Sequence, residues 1–499
     1  MTRVAFCSLE GEQVEVKPLG GQLQCALNGV WQLPCRHMTF EEDGTVEWPE
    51  LSRKVRVEAD GRRAELQELA CFAGIGVKFQ EVRSHSTVRV SLCGGGRLQY
   101  TCDGAWRPPF QYMEFVDNLV VFPEIHHSAQ LPAAEAPQLR QLLQALAVAA
   151  GCGMSFAEAR GKGCLRMTVA GPGKLQYTVD GKPRPGFSQM YFEGQFVHFP
   201  ELGTTAKLPK EAKAARVEMQ QLACRASLGV DFEEARGHGR VRVTCADDYY
   251  LQYTVDGVPR PLFQQMLFDA AILDVPDLGK SVHLPRTEAK ELRIKLQDMA
   301  CRVRLGVRFL GARGERMVRF HLAKQRLQYT VDGALRPPLS HMIFQEDGVV
   351  FFPELQKTVK LLAKEAEPCR ILLQELAVLA GLGVRFVEGR GKDCIRIHLA
   401  DEGLIQYTVN GAWRPCFSQV EVNEDGWLEL PELGRKARLP HDQVFTVRSE
   451  LRDLLRAEGT PPAEPAGTDS VKAGPACWLV VEADSATWRI VSFFAMRKA

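Results

Sequence analysis

Three sets of charged residues recur along this 499-residue chain at one fixed spacing. One arginine follows an Asx-Gly pair at Arg107, Arg184, Arg260, Arg336 and Arg414, with Gln32 at the first such place. A second lies mid-segment at Arg89, Arg166, Arg242, Arg319 and Arg396, with Glu15 at the first. An acid follows a proline at Glu50, Glu124, Glu201, Asp277, Glu354 and Glu432. A guanidinium is a planar fork of donors that fits carboxylate or phosphate. Two readings are open. In one, Arg107, Arg184, Arg260, Arg336 and Arg414 are candidate binding residues, a ladder for an extended acidic or phosphorylated protein partner. In the other, arginine and acid pair within each unit and pin a loop. The totals of 62 basic and 61 acidic residues favour the second, because a binding ladder leaves net positive charge.

The remaining residue patterns argue against an enzyme. His321 and His398 share a register with Ser91, Thr168 and Thr244, which reads as a solvent-facing strand position. His126-His127 has no cysteine or carboxylate at ligand spacing, so no metal is expected. Asp247-Asp248 reads as a hairpin tip. Gly74-Ile75-Gly76 and Gly151-Cys152-Gly153 follow a helix and precede a strand, the reverse of a dinucleotide site, so no cofactor is expected. Neither Gly-x-Ser-x-Gly nor His-Glu-x-x-His occurs.

The spacing of the charges comes from a repeated phrase, clearest as Leu-Gln-Tyr-Thr-Val-Asp-Gly. It starts at Leu23, Leu98, Leu175, Leu251, Leu327 and Ile405, about every 76 residues, as in tandem-module proteins. Alternating apolar residues before it, as in Val88, Val90 and Leu92, predict strands. The Asx-Gly pair predicts a type I′ hairpin turn. Pro108-Pro109 forbids a central strand until the segment holding Met113 and Phe115. That segment and its equivalents alternate into a core. A strand ending in Phe-Pro-Glu-Leu and a short sixth strand ending in Leu-Pro follow.

After that proline the period becomes helical, with Leu143, Leu146, Ala147 and Ala150 on one stripe. Gly74, Gly151 and Gly381 suit a left-handed C-terminal cap. Ser227 and Arg304 take that place in the third and fourth copies, where the cap is expected to differ. Gln67, Gln144, Gln220, Gln297 and Gln374 share one helix position from which a neighbouring unit's backbone can be bonded. The helices are apolar on more than one stripe, so each is expected to be covered by its own sheet and by a neighbour.

The fold class expected is α+β. It is a tandem array of six modules of about six short antiparallel strands and one C-terminal helix, at 1–74, 75–151, 152–227, 228–304, 305–381 and 382–457. In this order of elements the unit is similar to the polo box, and more loosely to pleckstrin-homology-type modules. The likeness is one of topology, with no motif matched and no functional residue carried over. A Pro/Gly/Ala-rich disordered linker is expected at 458–476, then an unmatched apolar tail at 477–499 that adds a strand pair, binds a partner or has little structural role.

Bulk properties agree with a soluble globular chain: 45% hydrophobic, 25% charged, formal net charge +1. Such a charge gives no reason to expect nucleic acid or an anionic membrane, and no apolar run is long enough to span a bilayer. The N-terminus enters strand-like alternation directly, without a signal-peptide pattern. The 15 cysteines are odd in number, and several, such as Cys71, Cys102, Cys224 and Cys301, stand where sister copies carry valine, as reduced, buried thiols do. The expected compartment is the cytosol, or the nucleus. The expected function is a non-enzymatic, multivalent protein-protein interaction scaffold, with recognition of an acidic or phosphorylated peptide by the arginines as the alternative.

Overall fold

The computed structural model describes residues 3–57, 60–161, 163–209, 212–237, 239–312, 316–401, 403–423, 425–456, 479–484 and 487–492. The expected linker at 458–476 lies outside the described residues. The chain is mostly β, with many small antiparallel sheets and six helices among the described residues, roughly repeated. The helices are α1 (Asp60–Phe72), α2 (Ala136–Ala149), α3 (Ala212–Arg225), α4 (Ala289–Arg302), α5 (Ala366–Leu379) and α6 (Val444–Arg456).

The third copy shows how the sequence builds its elements. Gly153–Ala157, Cys164–Gly171, Lys174–Val179 and Lys182–Pro183 form a four-stranded meander. Tyr191–Glu193, Phe196–Phe199 and Thr204–Lys207 form a separate three-stranded sheet, and α3 follows. Met154 and Phe156 are buried while Ser155 and Ala157 are exposed, the pleat alternation the sequence foretold. The strand count is seven rather than six. A two-residue strand fits between the Asx-Gly turn and the prolines, because proline at a strand's last position withholds no needed donor. Pro-Glu-Leu itself leaves the sheet as one turn of 3₁₀ helix at Pro200–Leu202, closed by Gly203 at φ 58°.

All six Asx-Gly pairs have positive φ at both residues, for example Asp180 at 49° and Gly181 at 77°. The Asp180 side chain also accepts the Cys164 N–H at 2.9 Å, pinning the hairpin's far strand. The helix caps at Gly74, Gly151 and Gly381 are left-handed as expected. Ser227 (φ 61°) and Arg304 (φ 62°) adopt the same conformation, which corrects the expectation of a different cap: the loop geometry overrides the residue's preference.

The helices α1, α2, α3 and α5 each lie against strands of two successive copies. α2 packs on Gly76–Gln80 and Thr87–Cys93 of its own copy and on Gly153–Ala157 and Cys164–Gly171 of the next. α5 does the same with its own and the sixth copy. Apolar packing therefore runs across the copy boundaries, one buried cluster extending from Val4 to Cys152.

The chain divides into two compact units, Met1–Glu233 with Gly239–Asp247 and Leu251–Leu262, and Glu234–His238 with Asp248–Tyr250 and Phe263–Ala499. The division falls inside the fourth copy, between its four-stranded and its three-stranded sheet. In the second unit the tail adds two strands, Leu479–Asp484 and Thr487–Ser492, to the sixth copy's last sheet. Thr487–Ser492 pairs antiparallel with Val420–Asn423.

Candidate functional site

The repeated acids are loop pins. Glu201 accepts the Ser188 N–H at 3.1 Å, Asp277 the Gln264 N–H at 2.6 Å and Glu432 the Ser418 N–H at 3.1 Å. Glu124 accepts from the Gln111 N–H, and Glu50 and Glu354 accept equivalent bonds from Arg36 and Ser340. Burial acts to raise Glu50 and Glu354, but hydrogen bonds from backbone and histidine hold both below the usual carboxylate range. The acid thus fixes the proline loop through peptide N–H groups rather than through the post-turn arginine, although Glu354 also pairs with Arg326 at 2.5 Å.

Arg107, Arg184, Arg260 and Arg336 are exposed and Arg414 is half-buried. Their backbones belong to the hairpin: the Arg184 N–H donates to the Tyr177 carbonyl, and the Arg184 carbonyl accepts from Gln176. Among the described residues none of the five guanidinium groups forms an ion pair with a carboxylate. Three stand beside the phenol of the repeated phrase. Burial pushes Tyr100 up to about 12, with Arg107 acting in the opposite sense. Burial likewise raises Tyr329 and Tyr407 against Arg336 and Arg414.

The mid-strand arginines have a different position. Arg89, Arg319 and Arg396 reach back to the preceding copy's helix, to Glu68 (2.6 Å), Asp298 (2.8 Å) and Glu375 (2.7 Å). Arg242, whose preceding helix offers Gln221, faces Asp231 at 3.6 Å. The helix glutamines reach the next copy too, chiefly through side chains. Gln67 donates to Ser91 at 3.0 Å and accepts from Thr101. Gln297 meets His321 at 2.8 Å, and Gln374 meets His398 at 2.7 Å. Where threonine stands at that place, Thr168 Oγ1 and Gln144 Nε2 are both buried without a partner, as are Thr244 Oγ1 and Gln220 Nε2. His321 and His398 are 0% exposed, which corrects the solvent-facing reading. Another copy's helix covers the strand face that a single unit would leave wet.

Two further groups of this joint were missed in the sequence. The glutamine of the repeated phrase clamps the preceding copy's strand. Gln176 Oε1 accepts the Phe115 N–H and Gln176 Nε2 donates to the Phe115 carbonyl, both at 2.7 Å. Gln99 does so with Phe40, Gln252 with Phe192 and Gln406 with Phe344. A third arginine set sits on the helices, four residues before each helix glutamine. Arg140 donates to the carbonyls of Gly181 (2.7 Å) and Asp117 (2.7 Å). Arg216 reaches Gly257 at 2.9 Å, and Arg370 reaches Gly411 at 3.2 Å. Burial lowers the pKa of Arg140, Arg216 and Arg370 from the usual arginine value. The fixed Arg-x-x-x-Gln spacing was the available signal.

The turn glycine completes the joint. A Cβ at Gly181 would lie 2.4 Å from the Pro137 carbonyl oxygen, and one at Gly104 2.2 Å from that of Asp60. His127 is stacked on Tyr100 with centroids 5.4 Å apart, and burial lowers its pKa. Among the described residues no His/Cys/Asp/Glu cluster is placed to hold a metal ion. A cleft of about 340 Å³ opens between Thr39, Glu47, Cys93 and Arg97 at the first joint.

No protein-family model matches the chain, and no curated protein matches it. Among solved structures it is similar to a BBS1N in complex with ARL6DN, soaked with lead, at 8% identity and TM-score 0.12, covering 74% of this chain and 92% of that one. It is also similar to a eukaryotic initiation factor at 8% identity and TM-score 0.13, covering 83% and 86%. Scores of this size fall far below those of proteins that share a fold. Among the described residues no helix is long and apolar enough to cross a membrane.

Proposed function

We propose that the chain is a non-enzymatic, multivalent scaffold of six consecutive modules, polo-box-like in order of elements. Its post-turn arginines Arg107, Arg184, Arg260, Arg336 and Arg414 take acidic or phosphorylated segments of a protein partner. One observation carries this reading. Of the charged sets that follow the repeat, the acids pin loops and most of the mid-strand arginines hold helix acids, while the post-turn arginines keep their guanidinium groups clear of carboxylates. Weak binding at each would add through multivalency if the partner is itself repetitive. The reading needs no cofactor, metal, nucleic acid or membrane. Its compartment is the cytosol or nucleus, supported by the free thiols among the described residues and by burial that pushes Cys25, Cys35 and Cys224 up to about 12, which leaves them unreactive.

The test is binding of a labelled acidic peptide and its phosphorylated form to the full chain. Replacing Arg184, Arg260 and Arg336 together by alanine is expected to weaken binding roughly tenfold or more, about 1.4 kcal/mol. Binding that survives the triple replacement would remove the arginines from the function.

A further inference from the structure

The last strand of each copy opens on a residue that varies: Arg53, His127, Thr204, Lys280, Lys357 and Arg435. In the second, third, fifth and sixth copies this residue stands beside the tyrosine of the repeated phrase. The Thr204 hydroxyl lies 3.0 Å from the Tyr177 hydroxyl, and the His127 ring is stacked on Tyr100. Lys357 is paired opposite Phe352, whose ring stacks on Tyr329 with centroids 5.7 Å apart. His127 and Thr204 hold the same register opposite Phe122 and Phe199. In the sixth copy Arg435 and Arg414 both act on Tyr407, against the effect of burial.

The post-turn arginine reaches the same tyrosine from the other side. The N–H groups of Arg184, Arg336 and Arg414 donate to the carbonyls of Tyr177, Tyr329 and Tyr407, so each arginine is its tyrosine's cross-strand neighbour on one face. In the second copy Arg107 acts on both Tyr100 and His127. The fifth and sixth copies thus set two permanent cations beside one tyrosine. Lys357 and Arg435 are exposed, and neither forms an ion pair among the described residues. The third copy has one cation and a hydroxyl already engaged with the phenol. The second has one cation and an imidazole that burial and Arg107 hold below its usual value, which leaves it neutral at pH 7.

A phosphomonoester carries about 1.5 to 2 negative charges at neutral pH, and a carboxylate carries one. A single guanidinium fits either group. A second cation at the same place adds attraction in proportion to the charge it faces, so the dianion gains more from it. We infer that the repeated sites are not equivalent. Arg336 with Lys357, and Arg414 with Arg435, select a phosphoryl group on a phosphorylated segment of a protein partner, whereas Arg107 and Arg184 do not distinguish phosphate from carboxylate. This rests on the reading that the post-turn arginines take an anionic segment, and it adds which anion each copy prefers.

The experiment is titration of the full chain with a peptide carrying one phosphoserine, and with the same peptide carrying glutamate there. Every sample carries Arg260→Gln, which silences the fourth copy. The phosphopeptide is expected to bind roughly tenfold more tightly than the glutamate peptide. Lys357→Gln with Arg435→Gln, both at exposed positions, is expected to remove that preference while leaving glutamate-peptide binding within about threefold. Thr204→Lys is expected to add a further phosphate-selective site. The inference is overturned if the two peptides bind alike before any replacement, if the preference survives Lys357→Gln with Arg435→Gln, or if Thr204→Lys adds no such site. Phosphatidylcholine vesicles with a phosphoinositide that bind as tightly as the phosphopeptide, and are released by the same pair of replacements, would overturn the protein source. Failure of the underlying reading is distinct and takes the inference with it: both peptides would still bind after Arg107, Arg184, Arg336 and Arg414 are replaced together by alanine.

Discussion

Gln252 holds Phe192 by both ends of one strand position, accepting its N–H at 2.8 Å and donating to its carbonyl at 2.9 Å. A side-chain amide here stands in for a neighbouring strand. The same amide also donates to the Arg260 carbonyl at 2.9 Å, so one residue satisfies three backbone groups, two of them buried.

Gln252→Ala is therefore expected to destabilise the chain by about 2–4 kcal/mol, since buried donors and acceptors lose their partners together. Gln24→Ala removes a bond to Gln32 without any preceding strand and is expected to cost about 1 kcal/mol or less. Urea unfolding of both variants checks the contrast. Equal costs would show that the clamp adds nothing.

Burial lowers His321 to about 3 and His398 to about 4. An imidazole lowered by folding is protonated in the unfolded chain before it is protonated in the fold, so acid favours unfolding. Their contribution is complete above the unfolded value of about 6.5, and it falls as pH drops from there toward about 4 and then about 3. His321→Ser with His398→Ser, the residue that the second copy uses with Gln67, is expected to flatten the slope of stability against pH in that window. An unchanged slope would mean that other groups set it.

Arg319 is buried against Asp298, whereas Arg336 is exposed and makes no ion pair among the described residues. Arg319→Ala is expected to cost about 2 kcal/mol by removing bonds to a part-buried carboxylate that keeps Arg308 at 3.2 Å. Arg336→Ala is expected to stay within about 0.5 kcal/mol of the natural chain. Thermal melts of the two variants separate an architectural arginine from one available for binding.

Ser227 caps α3 at φ 61°, in a region that costs a side-chain-bearing residue energy. Ser227→Gly is expected to stabilise by about 0.5–1 kcal/mol. A neutral or lower melting temperature would mean that the serine has a compensating contact.

What could be read from the sequence was local. Asp103-Gly104 specified its turn because positive φ is a property of two residues, and Gly151 its cap for the same reason. His321 could not be read. Its alternation with Val318 and Phe320 showed that it points away from its own sheet's core, but not that α4 of the preceding copy covers that face. Gln99 was counted as part of a strand phrase because its strand neighbours account for its spacing, while its partner Phe40 lies 59 residues away. The acids were expected to pin loops by pairing with the recurring arginines; they do pin loops, but through N–H groups that no residue type announces.

The meeting of Arg140 with the Gly181 carbonyl recurs as Arg216 with Gly257 and Arg370 with Gly411, so the join is generic rather than keyed to a particular pair. Excising one whole period, as by splicing residue 151 to residue 228, would offer α2 another glycine turn and another phrase glutamine in the same register. Gains and losses of whole periods by recombination are thus structurally silent at the splice, whereas any fractional slip leaves arginine, glutamine and glycine facing the wrong neighbours.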